Sequence, residues 1–454
     1  MSGPDTSTAG LRVAIVGAGP AGLYAAVDLL NRNATAAVDM FERLPVPGGL
    51  ARYGVAPDHA ERRQVIEHYG RLALASGRFR LHGNVEIGRH ISHAELLQHC
   101  HAVIYASGAI TDRRLEIPGE DLPGSHSATE FVAWYNGHPD FVDRQFNLDT
   151  ERAVVIGNGN VALDVARMLL MSAERLRGTD VAEHALASLS RNQIREVVVV
   201  GRRGPLQASF TVPELLELAQ LDDIDVAIEC PREASWTDDR SAHPLRLTLL
   251  RGLANRQPRG RAKRLVLRFL ASPIELRGTE QVESLRLARN RLVAGPDGKV
   301  RSEPTDEIEV LPTGLVLRSV GYRATPPPAI PFDDAAGVVP NRGGRVIEFP
   351  GDTPLAGVYV AGWLKRGPSG FIGTNKLCSR QTVSSLLEDA AAGRLALPTV
   401  SPTELDALLV ARQPARIDYA GWKRIDRTEC RLGIEQGRTR RRLSHWQDLL
   451  GAAV

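Results

Sequence analysis

A glycine-rich turn early in the chain has the spacing of a phosphate-binding loop. Gly17, Gly19 and Gly22 follow the apolar run LRVAIV and precede the helical pattern LYAAVDLLNR. In a G-x-G-x-x-G turn the first glycine permits the tight bend, the second lets the backbone approach a pyrophosphate, and the third lets the helix pack on the strand. The helix N-terminus offers N–H groups and a partial positive charge to the phosphates. The segment therefore predicts binding of a dinucleotide.

An acidic residue stands where such a site needs one. The run AVDMF at 37–41 is predicted as the next strand, and Glu42 closes it, 25 residues after Gly17. A carboxylate at that position accepts hydrogen bonds from the ribose hydroxyls of the adenosine. The strand, turn, helix, strand and acid form a βαβ unit that suits NAD or FAD. The alternative is a structural turn that holds no ligand.

A second glycine turn lies farther along the chain. It follows the run AVVI, precedes the helical pattern LDVARMLLM, and consists of Gly157, Asn158, Gly159, Asn160, Val161 and Ala162. Its next strand, EVVVV at 196–200, is followed by Arg202 and Arg203 instead of an acid. An acid would repel a ribose 2′-phosphate, whereas arginine pairs with it through charge-assisted hydrogen bonds. This unit therefore predicts NADP binding; the alternative is that both arginines lie on a solvated turn.

Two nucleotide sites in one chain limit the chemistry. Two nicotinamide sites would have to exchange a hydride directly, whereas a flavin beside an NADP site is a simpler arrangement. A flavin accepts a hydride at its N5 atom and releases electrons singly. We therefore expect FAD at the first turn and NADP(H) at the second.

Composition excludes several classes of protein. Of 454 residues, 43% are hydrophobic and 24% are charged, as in globular proteins. No run approaches the ~18 consecutive apolar residues of a membrane-spanning helix, and a net charge of +3 does not indicate a nucleic-acid binder. The cysteines have no C-x-x-C, zinc or iron–sulfur spacing, so neither a dithiol nor a metal site is predicted. Scattered reduced cysteines and a polar N-terminus without a signal pattern favour a cytoplasmic location.

The remaining segments predict an α/β chain. Strands are expected at 103–106 and 358–362, and period-two runs between 224 and 320 predict antiparallel or mixed strands added to the second unit. The proline cluster at 326–328 is predicted to mark a boundary. The last fifty residues, with the stretch RTRRRLSHWQDLL, are predicted to be helical and basic.

Longer strings extend the pattern across most of the chain. They are AIVGAGPAG (14–22), LARYGVAPDH (50–59), IPGEDLPG (117–124), VVIGNGNVALDVARMLL (154–170), VVGRRGPLQASFTVPEL (199–215), RSVGYR (318–323) and VAGWLKRGPSGFIGTNK (360–376). In these strings the chain resembles the ferredoxin–NADP reductases of the adrenodoxin reductase type, including their bacterial members. The resemblance implies two Rossmann-like doubly wound domains. The NADP domain, about 109–325, would be inserted into a discontinuous FAD domain of about 11–108 and 326–454.

The resemblance also implies roles for individual residues. Those expected at the adenosine side of FAD are Ala21, Glu42, Leu50 and Ile87, and those at the flavin side are Trp363, Gly370, Phe371 and Ile372. The segment from Gly157 to Asn160 would hold the NADP pyrophosphate, with Arg113, Arg202 and Arg203 on its phosphates, and Glu214 and Gly370 near the nicotinamide. His59 and Asp164 would lie beside the isoalloxazine, positioning the ring or handling its proton.

The catalytic candidates have structural alternatives. His59 follows Pro57-Asp58 and could be a capping or surface residue, and Asp164 could be a solvated helix residue. Glu214 falls in the first turn of a predicted helix, where the helix dipole favours an acid. Trp363 could belong to the core.

The activity implied by the family is hydride transfer from NADPH to FAD, followed by single-electron transfer to a ferredoxin or a similar acidic iron–sulfur protein, in a monomer. Two basic clusters are candidate docking sites for that partner, although either could be solvated surface. They are Arg256, Arg259, Arg261, Lys263 and Arg264 in one segment, and Lys365 and Arg366 in another. The rivals are a flavin disulfide reductase, a subunit of a larger complex such as glutamate synthase, and a non-catalytic flavoprotein that senses NADP(H).

The chain departs from the expected family pattern at three places. Position 371 is Phe, residues 377–380 read Leu-Cys-Ser-Arg, and Gly49 stands where a large aromatic residue is expected. Cys378 is expected to pack, and the glycine at 49 is expected to loosen the loop near the flavin.

Overall fold

The computed structural model describes residues 10–230, 244–295 and 300–454. The strands, in chain order, are β1 (Arg12–Val16), β2 (Ala37–Glu42), β3 (Phe79–Gly83), β4 (Ala102–Tyr105), β5 (Thr111–Asp112), β6 (Ser125–Ser127), β7 (Arg152–Ile156), β8 (Glu196–Gly201), β9 (Asp225–Glu229), β10 (Arg264–Phe269), β11 (Ala271–Arg277), β12 (Ser284–Ala294), β13 (Val300–Pro312), β14 (Leu315–Arg318), β15 (Tyr322–Arg323), β16 (Asn341–Arg342), β17 (Arg345–Ile347) and β18 (Pro354–Val360).

The α-helices connect these strands or follow them. In chain order they are α1 (Pro20–Arg32), α2 (Gly49–Tyr53), α3 (Gln64–Ala75), α4 (His93–His99), α5 (Ala128–Tyr135), α6 (Asn160–Leu170), α7 (Ala173–Arg177), α8 (Glu183–Leu189), α9 (Val212–Ala219), α10 (Pro244–Ala254), α11 (Trp363–Arg366), α12 (Thr374–Ala391), α13 (Pro402–Arg412), α14 (Tyr419–Ile434) and α15 (Trp446–Ala452).

The described chain forms two compact units. The first comprises residues 10–111 and 322–454, and the second comprises the described part of 112–321. The second unit is therefore an insertion into the first along the sequence. The chain passes from one unit to the other at residues 111–112 and again at 321–322.

The first unit is built on a seven-stranded sheet with the order β16-β17-β18-β4-β1-β2-β3. The strands from β18 to β3 run parallel, and β16 and β17 add an antiparallel edge. In β1 the side chains of Val13, Ala14 and Ile15 are fully buried, as expected for a parallel strand covered on both faces. Strand β18, from the second segment of the chain, lies beside β4 and completes the sheet.

The second unit has a six-stranded parallel sheet with the order β6-β14-β7-β8-β10-β9. Together the two sheets confirm the prediction of an α/β chain with two Rossmann-like parts. The interpretation of the segment 224–320 was partly wrong, because β9, β10 and β14 join this parallel sheet. The remaining strands, β11, β12 and β13, form a separate antiparallel sheet. The physical distinction is burial, since Leu265, Val266 and Leu267 of β10 are all buried whereas most of β13 is exposed.

The C-terminal region is less helical than predicted. Helices α14 and α15 are present, but most of RTRRRLSH, at 438–445, lies between them without helical structure. The prediction that this stretch is helical was wrong because the segment folds back on α14. Arg440 pairs with Glu429 at 2.7 Å, and the backbone N–H of Leu443 donates to the same carboxylate at 2.9 Å.

Candidate nucleotide-binding sites

The first glycine turn lies between β1 and α1. Two of its three glycines are required by close backbone contacts, and the third has free space beside it. Gly17 has a φ of +105°, and a Cβ there would lie 2.6 Å from the carbonyl oxygen of Ala106. A Cβ on Gly22 would lie 2.0 Å from the carbonyl oxygen of Gly17. At Gly19 the nearest atom to an added Cβ is the Cα of Gly49, at 3.8 Å. The outer side of Gly19 therefore has room for a pyrophosphate, the role assigned to a second glycine.

Helix α1 presents an uncapped N-terminus to this turn. Its N-cap is Gly19, which has no side chain to accept from the first N–H groups, and its first turn holds no acidic residue. Pro20 occupies the start of the helix, where its missing N–H costs nothing. The carbonyl of Ala21 accepts from the hydroxyl of Ser379 at 2.8 Å, which fixes the helix start against α12. The arrangement fits an anion at the helix N-terminus.

Glu42 holds the turn as well as facing the predicted ribose position. One of its carboxylate oxygens accepts from the backbone N–H of Ala18 at 3.0 Å, and the other accepts from Leu44 at 3.0 Å. Burial raises the pKa of Glu42, and these two hydrogen bonds oppose that shift. Since each carboxylate oxygen has two acceptor positions, both can also accept from a ribose hydroxyl.

A cavity of about 490 Å³ opens at the carboxyl ends of β2 and β3. Its lining includes Arg43, the residue after Glu42, together with Asn84, Glu86 and Trp446. Ligands of doubly wound folds bind at the carboxyl ends of the strands. Of the residues expected at the adenosine side, Ile87 is buried and Leu50 is half-buried, and neither lines this cavity.

The residues expected at the flavin side follow β18. Trp363 is half-buried; its indole N–H donates to the carbonyl of Ser369 at 3.1 Å, and its ring centroid lies 5.2 Å from that of Tyr322. Gly370 and Phe371 are exposed, and Ile372 is half-buried. Trp363 is therefore not a fully buried core residue, since its side chain remains partly accessible.

Two of the three family departures have a clear structural setting. Gly49 lies against the glycine turn, where a Cβ would be 3.2 Å from the Cα of Gly19. Cys378 is buried on α12, and its thiol lies 3.9 Å from the carbonyl oxygen of Gly362. The thiol packs in the interior, as the sequence suggested.

The second glycine turn, between β7 and α6, has the same geometry as the first. Gly157 has a φ of +124°, and a Cβ there would lie 2.1 Å from the carbonyl oxygen of Ser319. An added Cβ on Gly159 would meet nothing within 4 Å. Ala162 is completely buried, so its methyl group is accommodated at the third position. This turn also leaves its middle glycine open to a phosphate.

The asparagines of the second turn are bonded to the start of α9. The carbonyl of Asn158 accepts from the backbone N–H groups of Ser209 and Phe210, each at 3.0 Å. The side-chain oxygen of Asn160 accepts from the backbone N–H of Thr211 at 2.9 Å. The hydroxyl of Thr211 in turn donates to Glu214, which is buried. These bonds tie the predicted pyrophosphate loop to the residue predicted near the nicotinamide, a link that the sequence did not reveal.

Asp164 is part of a buried ion cluster. It is 8% exposed, and its carboxylate accepts from Arg167 at 2.9 Å. Arg167 is 3% exposed and also donates to Glu217 on α9 at 3.0 Å. Asp164 is therefore no solvated helix residue. The i,i+3 spacing of Asp164 and Arg167 was a visible signal for their pair, but the bond to Glu217 depends on tertiary packing.

The arginines predicted on the NADP phosphates have no carboxylate partner in the described parts of the chain. Arg202 is exposed and Arg203 is half-buried, directly after the end of β8. Their backbone carbonyls accept from the side chain of Asn290 at 2.7 Å and from the N–H of Leu270 at 3.2 Å, which fixes the turn. Arg113 is also exposed. All three guanidinium groups therefore remain available to an anion.

His59 lies in the first unit, just before a short 3-10 helix at Ala60–Arg63. It is buried, and its imidazole does not cap that helix. The backbone carbonyl of His59 accepts from the N–H of Arg62 at 3.1 Å. The capping and surface alternatives are therefore excluded, and the catalytic role of His59 stays a prediction.

Known proteins are similar to this chain over nearly its whole length. The pyridine nucleotide-disulphide oxidoreductase family matches residues 11–211. The NADPH-ferredoxin reductase FprA of Mycobacterium tuberculosis (strain ATCC 25618 / H37Rv) is 46% identical, covering 96% of this chain and 98% of that protein. The mitochondrial NADPH:adrenodoxin oxidoreductase of Arabidopsis thaliana is 39% identical, covering 99% of this chain and 97% of that protein.

A solved structure gives the same result. Mycobacterium tuberculosis FprA in complex with NADPH is 45% identical and has a TM-score of 0.91, covering 98% of this chain and 99% of that chain. Among the described residues, no helix combines the length and the apolar character needed to cross a bilayer. The relatives confirm the resemblance seen in the motifs: the chain belongs to the family of ferredoxin–NADP⁺ reductases of the adrenodoxin reductase type.

Proposed function

We propose that this protein is a ferredoxin–NADP⁺ reductase that passes a hydride from NADPH to FAD and then single electrons to a ferredoxin. The observation that carries the proposal is the difference between the two nucleotide turns. The first ends in Glu42, whose carboxylate is bonded to the glycine turn. The second is followed by Arg202 and Arg203, which pair with no acid in the described ranges. An acid suits a free ribose and two arginines suit a 2′-phosphate.

The two cofactors are assigned to the two units. In this proposal the FAD domain is 11–108 with 326–454, and the NADP domain is 109–325, within a few residues of the compact units. FAD lies at Gly17, Gly19, Ala21, Gly22, Glu42, Leu50 and Ile87, and at Trp363, Gly370, Phe371 and Ile372. NADP(H) lies at Gly157, Asn158, Gly159 and Asn160, with Arg113, Arg202 and Arg203 on its phosphates and Glu214 near its nicotinamide.

The protein contributes orientation and electrostatics to the reaction. Bound FAD supplies a ring that accepts a hydride and returns electrons one at a time. The glycine turns and the helix N-termini hold the phosphates and so orient the reactive ends of both cofactors. The reaction needs no nucleophilic side chain. The side chain of Asp164 is held in place by a hydrogen bond from Arg167. His59 and Asp164 are proposed to position the isoalloxazine or handle its proton, and Glu214 is proposed to lie near the nicotinamide.

The alternatives have less support. A flavin disulfide reductase needs a redox dithiol, but Cys100 and Cys378 are buried and all four cysteines are free thiols. Burial raises the pKa of the Cys100 thiol to about 12, which disfavours the reactive thiolate.

We propose that the protein is a cytoplasmic monomer and that it binds no nucleic acid.

Turnover tests the proposal directly. Purified protein should be yellow and should reduce cytochrome c with NADPH only when an acidic ferredoxin is added. Anaerobic NADPH should bleach the flavin absorbance before the ferredoxin is supplied. A yellow protein that binds NADPH but transfers no electrons to any of the host's ferredoxins would instead support a sensor of NADP(H).

Replacing Glu42 by alanine should weaken FAD retention. The change removes the proposed ribose acceptor and leaves the N–H groups of Ala18 and Leu44 without their present partner. Loss of one charge-assisted acceptor costs about 1.5–3 kcal/mol, or roughly ten- to hundredfold in affinity. Flavin release during gel filtration and titration of the apoprotein with FAD measure this effect. Glu42→Gln, which keeps one acceptor oxygen, should lose less; full flavin occupancy with unchanged FAD affinity in Glu42→Ala would contradict the contact.

A further inference from the structure

One long segment of the first unit carries cations but no acid. Residues 353–387 contain Lys365, Arg366, Lys376 and Arg380, and neither Asp nor Glu occurs between Asp352 and Glu388. The segment covers β18, α11, the loop with Gly370, and most of α12. The stretch that carries the residues proposed at the flavin side therefore contains four cations and no carboxylate.

The first two turns of α12 present a mixed apolar and basic surface. One face of the helix is buried through Cys378, Ser379, Thr382 and Val383. On the opposite face Lys376, Leu377 and Arg380 are exposed, with Leu377 exposed to 75%. Phe371, in the loop just before the helix, is 64% exposed. Solvent-exposed large apolar side chains among charges are typical of an interaction surface.

The charges of this surface are available to a partner. In the described ranges no carboxylate pairs with Lys376 or Arg380, and the first turn of α12 holds no acidic residue. Arg366 donates to neutral acceptors, the side chains of Thr374 and Asn375 and the carbonyl of Ser369. It therefore fixes the loop that carries Phe371 while keeping its positive charge.

The other basic cluster named from the sequence is largely neutralised. Arg259 pairs with Asp222 at 2.8 Å, and Arg264 pairs with Glu229 at 3.2 Å and with Glu196 at 3.4 Å. Burial lowers the pKa of Lys263. An acidic partner would have to displace several internal carboxylates there, whereas none competes at α12.

We propose that Phe371, Lys376, Leu377 and Arg380, called here the α12 surface, dock the acidic iron–sulfur protein that receives the electrons. The inference rests on the proposed function and specifies where its partner binds. The apolar side chains supply contact area, and the cations orient an acidic face and accelerate its approach. Phe371 adjoins Gly370 and Ile372, so a partner held here sits beside the residues proposed at the flavin.

Charge reversal tests the α12 surface. Lys376→Glu combined with Arg380→Glu should raise the KM for an adrenodoxin-type acidic [2Fe–2S] ferredoxin about tenfold at low salt and flatten its salt dependence. Leu377→Ser should raise the same KM about threefold without changing the salt dependence. The KM for NADPH and the rate with menadione, a neutral acceptor that needs no docking, should stay at the wild-type values.

The control carries the same charge change elsewhere in the first unit. Arg71→Glu with Arg427→Glu reverses two exposed arginines of α3 and α14 and should leave the KM for ferredoxin within twofold of the wild type. If both double variants raise the KM for ferredoxin equally, the effect is due to net charge, and the proposal that the α12 surface docks the partner is contradicted. A raised KM for NADPH in the α12 variants would indicate that the surface takes part in binding the nicotinamide and does not dock the ferredoxin. A wild-type protein that cannot reduce ferredoxin contradicts the proposed function itself, whereas an active wild type with unaffected variants contradicts only the docking surface.

Discussion

Replacement of Arg202 and Arg203 together by alanine should lower kcat/KM for NADPH by at least about 100-fold, because each arginine is expected to make a charge-assisted hydrogen bond worth about 1.5–3 kcal/mol to the 2′-phosphate. NADH lacks that phosphate, so its kcat/KM should change by less than about threefold. The preference for NADPH should therefore nearly disappear. Steady-state kinetics with both coenzymes and menadione as acceptor measure the two values without involving the ferredoxin.

A folding defect does not account for such a loss, because the two side chains do not hold the turn. Both follow β8, and the turn is held by their backbone carbonyls, which alanine retains. A matched control is Arg177→Ala, which removes an exposed arginine from α7 in the same unit and should leave both coenzymes unaffected. An equal loss for NADPH and NADH in the double variant would rule out recognition of the 2′-phosphate.

The nucleotide turns could be predicted because their requirements are local. Gly17 and Gly157 are needed where the chain turns back against a neighbouring carbonyl, and such positions recur with fixed spacing after a strand. The strand runs before them are continuously apolar, which is the signature of parallel strands buried on both faces. The different cofactors predicted for the two turns follow from the residue type at the end of the second strand of each βαβ unit, which is Glu42 in the first unit and Arg202 in the second.

The contacts that join separate segments could not be predicted in this way. Arg167 bonds to Glu217, 50 residues farther on, and Asn160 bonds to the backbone of Thr211. Period-two runs also failed to separate β10, which lies in the parallel sheet, from β12, which lies in the antiparallel one, because alternation alone does not specify pairing. Such features depend on which surfaces meet after folding.

A buried carboxylate organises the C-terminal segment of the first unit in the same non-local manner. Glu429 on α14 is 0% exposed and pairs with Arg52 of α2 at 2.6 Å and with Arg440 at 2.7 Å. Arg442 donates to the backbone carbonyl of Arg52 at 3.0 Å. Burial alone would raise the pKa of Glu429, but the two paired guanidinium groups outweigh it and lower the pKa. The cluster thus joins α14 to α2, the short helix that carries Leu50.

Glu429→Gln should therefore strongly destabilise the first unit. The amide cannot compensate the buried charges of Arg52 and Arg440, and removal of one partner from a buried ion pair costs about 3–5 kcal/mol. We expect the unfolding temperature of this unit to fall by about 5–10 °C, with faster amide hydrogen exchange in α2 and α14. Glu435→Gln is the control, since its partner Arg431 is exposed in an i,i+4 pair and the loss should be about 0.3–0.5 kcal/mol.

The same variant predicts a pH dependence with a definite sign. Because the folded-state pKa of Glu429 is lowered, its ionisation contributes stability that is fully present above the unfolded-state pKa of about 4.3. That contribution declines as the pH falls toward the folded-state value. The difference in unfolding temperature between the wild type and Glu429→Gln should thus be constant from about pH 6 to 8 and shrink below about pH 4. A difference that grows on acidification, or a variant as stable as Glu435→Gln at neutral pH, would show that Glu429 does not hold α14 and α2 together through its charge.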